Sequence, residues 1–195
     1  TQVKIAIEDN KPQAIEMLRR LTKDDSSIEV CSLHAIYPKG AEKVAAYETT
    51  GRVIKEGMLP ADAGIIVENI TTTAFIGQYL RTGMPLITKM LTVDGGAIAE
   101  PKNVIAPIGA HFSDVIAFCG GYKRPAKKLI MGGPMMGTLV FDAAYPVLKN
   151  NNALLAFDES QTVVEPEHPC IRCGRCMQNC PYHLMPRQIE KAYES

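Results

Sequence analysis

Apolar and polar positions alternate between two periods along the first part of the chain. Val3-Lys4-Ile5-Ala6-Ile7 has the composition of a strand. Asp9-Asn10-Lys11-Pro12 follows as a helix start, with a capping Asp or Asn and a proline near the first helical position. The helix is predicted to run to about Leu21, with Ile15, Leu18 and Leu21 on one face. A second strand is predicted over Ile28 to Leu33, a helix over about Ala41 to Thr50, and a third strand over Gly64 to Val67. Another helix follows from about Thr72 to Arg81, ended by Gly83 and Pro85. This order predicts a parallel sheet covered by helices. Parallel sheets are covered on both faces, so further strands and helices upstream are expected.

The pattern changes near Pro85. Leu86 to Val93 reads as a strand, Asp94-Gly95-Gly96-Ala97 as a hairpin turn, and Ala97 to Glu100 as its return strand. Asn103 to Ile108 is a further short strand. Ser113 to Phe118 is a short helix capped by Ser113 or Asp114 and closed by Cys119-Gly120-Gly121. Lys128 to Met131 and Ala153 to Phe157 are strands. A β-grasp is the most economical arrangement of these pieces. Glu100-Pro101 and Gly132 to Gly137 are read as turns, and Met135 and Met136 as core or interface packing. Glu165-Pro166-Glu167-His168-Pro169 is an extended linker, because each proline restricts itself and its predecessor. Pro186 to Tyr193 is a final helix.

Charge and composition then narrow the class. Lys plus Arg is 21 and Asp plus Glu is 21, so the formal charge is zero. That argues against a general nucleic-acid binder and against polybasic membrane attachment. The longest uncharged run, Leu129 to Phe141, is too short to span a bilayer and is broken by Gly132, Gly133 and Pro134. No basic-then-apolar leader opens the chain, so no signal peptide is expected. The chain starts at Thr1 and stops at Ser195, soon after a cysteine cluster, and is expected to be a segment of a longer protein.

Four of the six cysteines form the run Cys170-x2-Cys173-x2-Cys176-x3-Cys180-Pro181. This is the bacterial ferredoxin spacing for iron–sulfur ligation. Three thiolates on a tight loop can converge on one cubane, and Gly174 permits the sharp path. Cys180 is expected on a turn of helix ended by Pro181, pointing away from the other three. A zinc site remains the alternative, although zinc sites usually pair cysteines across a longer loop. In two-cluster ferredoxins the fourth cysteine serves the other cluster. No second run exists here, so the two clusters would be incomplete on this chain. Cys31 and Cys119 lie in apolar contexts and read as structural. His34, His111, His168 and His183 have no metal-ligand spacing. Arg172, Arg175 and Lys191 make the cluster edge basic, as a solvated face or an aid to docking.

Ligands of open α/β sheets bind outside the carboxyl ends of the strands. Those ends carry Glu8-Asp9-Asn10, His34 to Glu42, and Glu68-Asn69-Ile70-Thr71-Thr72. They fit a nucleotide or flavin, and equally ordinary capping by Asp9, Asn10 and Thr71.

Ile7-Glu8-Asp9-Asn10-Lys11-Pro12, Tyr37-Pro38-Lys39-Gly40-Ala41-Glu42-Lys43, Glu100-Pro101-Lys102-Asn103-Val104, Gly132-Gly133-Pro134-Met135-Met136-Gly137 and the cysteine run occur in this order. As a set they resemble the C subunits of Rnf-type ion-translocating ferredoxin:NAD+ oxidoreductases, a family similar to the flavin-binding subunit of respiratory complex I. The resemblance covers essentially the whole chain. It implies an α/β plus α+β class. Residues 1–84 would be the C-terminal part of an FMN-binding α/β domain, and 85–145 a soluble ligand-binding β-grasp (SLBB) domain. Residues 146–168 would be a linker with a return strand, and 169–195 the first half of a ferredoxin module for two [4Fe–4S] clusters.

The resemblance also implies sites. Tyr37 would pack on the flavin ring, Gly40 would allow close approach, and Glu42 would sit near the ring and the nicotinamide. Ala41 departs from a Glu of the complex I relative. Asn69 and Thr72 would hold the phosphate or ribityl chain, and Glu68 departs from an Asn. Cys170, Cys173, Cys176 and Cys180 would be the cluster ligands. The Gly-rich phosphate loop of the family lies upstream of Thr1, so little FMN binding is expected from this chain alone. The implied partners are other subunits of a membrane electron-transport complex, a ferredoxin-type electron partner and NAD(H). The implied location is peripheral, on the cytoplasmic side of the bacterial inner membrane. A soluble NADH or formate dehydrogenase-type subunit and a non-enzymatic β-grasp binding module are the alternatives.

Overall fold

The computed structural model describes residues 2–180 and 182–194. It divides into two compact units, Thr1–Glu68 with Cys170–Ser195, and Asn69–Pro169.

In the first unit β1 (Val3–Glu8) and β2 (Ile28–Leu33) pair in parallel, from Val3↔Ile28 to Glu8↔Leu33. Helix α1 (Pro12–Thr22) makes the crossover, with Pro12 at its start. Ile15 is buried, Leu18 is half-buried, and Leu21 is exposed, so the apolar face is shorter than the periodicity predicts. Burying a side chain such as Ile15 stabilises the unit by about 1.5–3 kcal/mol. Helix α2 (Glu42–Thr50) buries Val44 and Ala46. It ends at Gly51, whose φ of 72° lets its N–H reach the Tyr47 carbonyl at 2.7 Å.

The third strand expected over Gly64 to Val67 does not form. A 3-10 turn over Pro60–Ala63 occupies the approach, and Gly64 closes it in the left-handed region at φ 70°. The N–H groups of Gly64 and Ile65 bond back to Ala61 and Pro60 at 2.9 and 3.0 Å. Those donors are therefore spent before a ladder can start. The period-two pattern survives without a neighbour, with Ile65 and Val67 half-buried and Ile66 exposed. This sheet has two strands. Two short helices, α5 (Arg175–Gln178) and α6 (Pro186–Glu194), complete the unit, α6 where the final helix is predicted.

The second unit opens with α3 (Ile70–Thr82), which starts two residues earlier than predicted and stops at Gly83 (φ 68°). A five-stranded mixed sheet follows in the order β4-β3-β7-β5-β6. Its strands are β3 (Thr88–Asp94), β4 (Lys102–Pro107), β5 (Lys128–Met131), β6 (Thr138–Val140) and β7 (Ala153–Phe157). β3 and β7 pair in parallel at the centre, and the remaining pairs are antiparallel. Leu91, Val93, Val104, Leu129, Val140 and Leu154 share one core with Phe112, Val115 and Ile116 of α4 (Phe112–Phe118).

The predicted return strand Ala97 to Glu100 is not a strand. The antiparallel partner of β3 is β4 (Lys102–Pro107), and the intervening segment turns into the core. Gly95 holds φ 119°, and a Cβ there would lie 2.6 Å from the Ala156 carbonyl carbon. Ala97 N–H bonds the Ala156 carbonyl at 3.0 Å, and Ile98 is fully buried. Burial of Ala97 and Ile98 thus replaces the tight hairpin.

Three smaller expectations also change. Helix α4 has no side-chain cap from Ser113 or Asp114, because the backbone carbonyls of Tyr145 and Ala143 accept the N–H groups of Phe112 and Ser113, both at 2.9 Å. Helix α1 has Lys11 at its cap position and no side-chain cap. Met135 and Met136 are exposed, which removes the core half of their reading and leaves interface packing.

Candidate functional site

The register of β1 and β2 brings their carboxyl ends side by side. The residue directly after each strand is polar, Asp9 after β1 and His34 after β2. The Asp9 carboxylate accepts from His34 Nδ1 at 2.8 Å and from the Ala35 N–H at 3.0 Å. The Asp9 N–H in turn donates to the Leu33 carbonyl at 2.8 Å. The His34 hydrogen bond, then the Ala35 N–H, hold the Asp9 carboxyl below its ordinary range. Asp9 therefore ties the two loops together and does not cap α1. Neighbouring groups are similarly occupied, with Lys11 Nζ at 2.5 Å from Glu8 and 2.8 Å from Asn10. The Asp9–His34 link escapes a search for local motifs, because its residues are 25 apart. The parallel register is the signal that could have found it.

The loop so anchored carries the predicted flavin contacts of the first unit. Tyr37 is 59% exposed. Gly40 is exposed, and a Cβ added there meets nothing within 4 Å. Gly40 is not in the left-handed region either. Neither its conformation nor internal packing requires glycine. Ala41 is the cap position of α2, its N–H bonded to the Pro38 carbonyl at 2.8 Å, and Glu42 is exposed in the first turn. Lys39 is ion-paired with Glu48, which fixes the back of the loop. The residues fit a flavin in that an exposed aromatic, an unfilled glycine and an acidic group share one loop.

Asn69 and Thr72 belong to the second compact unit. Asn69 caps α3, its Oδ1 accepting from Thr71 N–H at 2.9 Å and Thr71 Oγ1 at 2.7 Å. Thr72 is half-buried in the first turn, and Glu68 is exposed. The helix-capping reading thus applies to Asn69, with its amide nitrogen left as a donor.

The cysteines of the ferredoxin-type run are all free thiols. Cys170, Cys173 and Cys176 are exposed and Cys180 is half-buried. Arg172 and Gly174 hold φ of 57° and 74°, which turns the chain sharply between successive cysteines. Cys176 lies on α5, and Cys180 N–H reaches the Met177 carbonyl at 3.3 Å. Pro181, expected to end that turn, lies outside the described residues. Among the described residues no three His, Cys, Asp or Glu side chains converge as a metal site. The chemistry and spacing of these thiols fit an iron–sulfur cluster. Cys119 is fully buried in the core and Cys31 is half-buried, and burial pushes both thiols above their ordinary range. That disfavours the thiolate a metal needs.

Comparison with known proteins assigns these stretches. Residues 1–78 match the Nuo51 FMN-binding domain, and residues 90–139 match the SLBB domain. The C subunit of the proton-translocating ferredoxin:NAD(+) oxidoreductase complex of Clostridium ljungdahlii is 42% identical over 95% of this chain and 40% of its own length. The Na(+)-translocating counterpart of Acetobacterium woodii is 43% identical over 95% of this chain and 42% of its own length. The C subunit of the ion-translocating oxidoreductase complex of Rhodobacter capsulatus is 39% identical over 96% of this chain and 36% of its own length. The chain thus spans about two fifths of the length of these relatives. A solved NAD+-reducing [NiFe]-hydrogenase shares the fold, with a TM-score of 0.63 at 17% identity over 80% of this chain and 33% of that one. Among the described residues no helix is long and apolar enough to cross a membrane.

Proposed function

Homology along 95% of its length to part of the C subunits of ion-translocating ferredoxin:NAD(+) oxidoreductase complexes is the premise from which we propose that this chain is an electron-transfer segment. In this reading it carries part of an FMN site and part of a ferredoxin module for two [4Fe–4S] clusters. It works as a peripheral component on the cytoplasmic side of a bacterial inner membrane. Its partners are the other subunits of the complex, a ferredoxin-type carrier and NAD(H).

Tyr37 packs against the flavin ring, Gly40 leaves the backbone room to approach it, and Glu42 faces the ring and the nicotinamide. The Asn69 amide and the Thr72 hydroxyl donate to the phosphate or ribityl chain. Cys170, Cys173 and Cys176 hold one cluster, and Cys180 serves the second. The bound flavin supplies hydride exchange with the nicotinamide, and the chain supplies position. The order β4-β3-β7-β5-β6, with its parallel central pair and one crossing helix, supports a β-grasp that takes in β7 (Ala153–Phe157) together with residues 85–145.

Gly40 is the observation that carries the flavin reading, since nothing inside the protein explains a glycine there. Gly40→Val in the full-length gene product tests it. FMN affinity is expected to fall by about tenfold or more, as for a lost close contact of roughly 1.4 kcal/mol, with an unchanged melting temperature. Unchanged FMN affinity would remove the site from this loop. A β-grasp module without redox function is the second reading, supported by the size of the second unit's own core. It requires a full-length product without flavin.

A further inference from the structure

Between α4 and β5 the chain runs Tyr122-Lys123-Arg124-Pro125-Ala126-Lys127-Lys128. Four of these seven residues are cationic and none is acidic, in a chain whose formal charge is zero. All seven are exposed. The segment is held at both ends. Lys123 N–H bonds the Ala97 carbonyl at 2.9 Å, and Lys127 N–H bonds the Phe157 carbonyl at 2.8 Å. Ile98 bridges Tyr122, and Lys128 is in register with Phe157 on β7. Pro125 fixes its own φ between those anchors.

Arg124 is pinned from below. Its Nη1 reaches Asp158 at 3.0 Å, and that side chain is buried while the arginine side chain as a whole remains 65% exposed. Ser160 first, then Arg124, hold the Asp158 carboxyl below its ordinary range. Lys4, Lys11, Lys39 and Lys102 each have a carboxylate partner. Lys123, Lys127 and Lys128 have no ion pair among the described residues. Held at both ends, the segment thus presents one anchored cation and three with no ion pair among the described residues.

We infer that this loop is a docking surface for an acidic face of another protein. Exposed charges on a fixed scaffold gain little within their own chain and mainly steer encounter with an opposite surface. The carboxylates bordering the loop select the kind of partner. Glu159 and Asp158 share a hollow with Arg124 and Lys127, and Asp94 lines another with Lys123. These carboxylates would repel a continuous polyphosphate backbone laid along the loop, which favours an acidic protein patch of limited extent. This inference is independent of the cofactor assignment.

The test uses a fluorescent poly-glutamate peptide and single-stranded DNA as probes, read by anisotropy across a salt series. The triple variant Lys123→Gln, Lys127→Gln, Lys128→Gln is expected to bind poly-glutamate roughly fivefold more weakly, with a flatter salt dependence. A control triple, Lys23→Gln, Lys55→Gln, Lys149→Gln, carries the same change of net charge at exposed sites outside the loop and is expected to bind as the unaltered full-length product does. Equal losses in the two variants, no loss in the first, or tighter binding of DNA than of poly-glutamate would overturn the inference.

Discussion

At the scale of single residues, the informative positions are those where local pattern and long-range contact compete. Asp9 has the composition and place of a helix cap, yet it bonds His34 and Ala35 across the loop. Its folded carboxyl titrates below the unfolded value of about 3.9. The link therefore stabilises the fold above that pH and is lost as pH falls through the lowered folded value. Asp9→Asn is expected to lower the melting temperature near neutral pH and to make its decline toward about pH 2 shallower. Parallel melting curves of the two chains across pH would show this, and an identical pH dependence would contradict it. Gly95 is a second such position. Its positive φ and its contact with the Ala156 backbone both exclude a side chain. Gly95→Ala is expected to cost about 2–4 kcal/mol in denaturant unfolding, and a cost below about 0.5 kcal/mol would show that the loop relaxes freely. The glycine itself is visible in the sequence as a turn signal. The close approach that demands it is not, because Ala156 is far away in the chain.

At the scale of elements, helices and most strands follow the apolar periodicity, and the departures have definite causes. β1, α1, β2 and α2 stand close to their predicted ranges, because Val3, Ile5, Ile15, Val44 and their spacing carry the signal. Gly64 to Val67 has a strand's composition but pairs with no strand among the described residues, and the 3-10 turn takes its first donors. The β3 hairpin departs from its prediction because Asp94-Gly95 signals a tight turn, whereas buried Ala97 and Ile98 draw the chain inward and move the return strand to Lys102. Helix α3 separates two roles of one residue. Asn69→Ala removes a cap and is expected to cost about 0.5–2 kcal/mol. Asn69→Asp keeps an oxygen for Thr71 and suits a helix start. It is therefore expected to keep stability while placing a negative charge near the proposed flavin phosphate and weakening FMN binding. Equal FMN affinity in the Asp variant would leave Asn69 as a cap alone.

At the scale of the whole molecule, two units with different logic share the chain. The second has a core of its own around Phe112, which is fully buried. Phe112→Ala is expected to cost about 3–5 kcal/mol. Limited proteolysis should then cut within residues 69–169 before the first unit is attacked, and uniform digestion would contradict two separate units. The candidate site is legible unevenly at this scale. The cysteine spacing names its own chemistry, and the 1–78 and 90–139 matches agree with the flavin and SLBB assignments. The grouping of Asn69 and Thr72 with the second unit is not legible, since it depends on which residues pack together and not on the local pattern.

The central claim, an electron-transfer segment built for flavin and iron–sulfur clusters, is tested most directly by cofactor analysis of the full-length gene product purified without air. Two [4Fe–4S] clusters and one flavin require about eight iron, eight sulfide and one FMN per chain, and Cys173→Ser is expected to lower iron and sulfide while leaving flavin in place. Zinc without sulfide, or a product with neither flavin nor sulfide, would contradict the account.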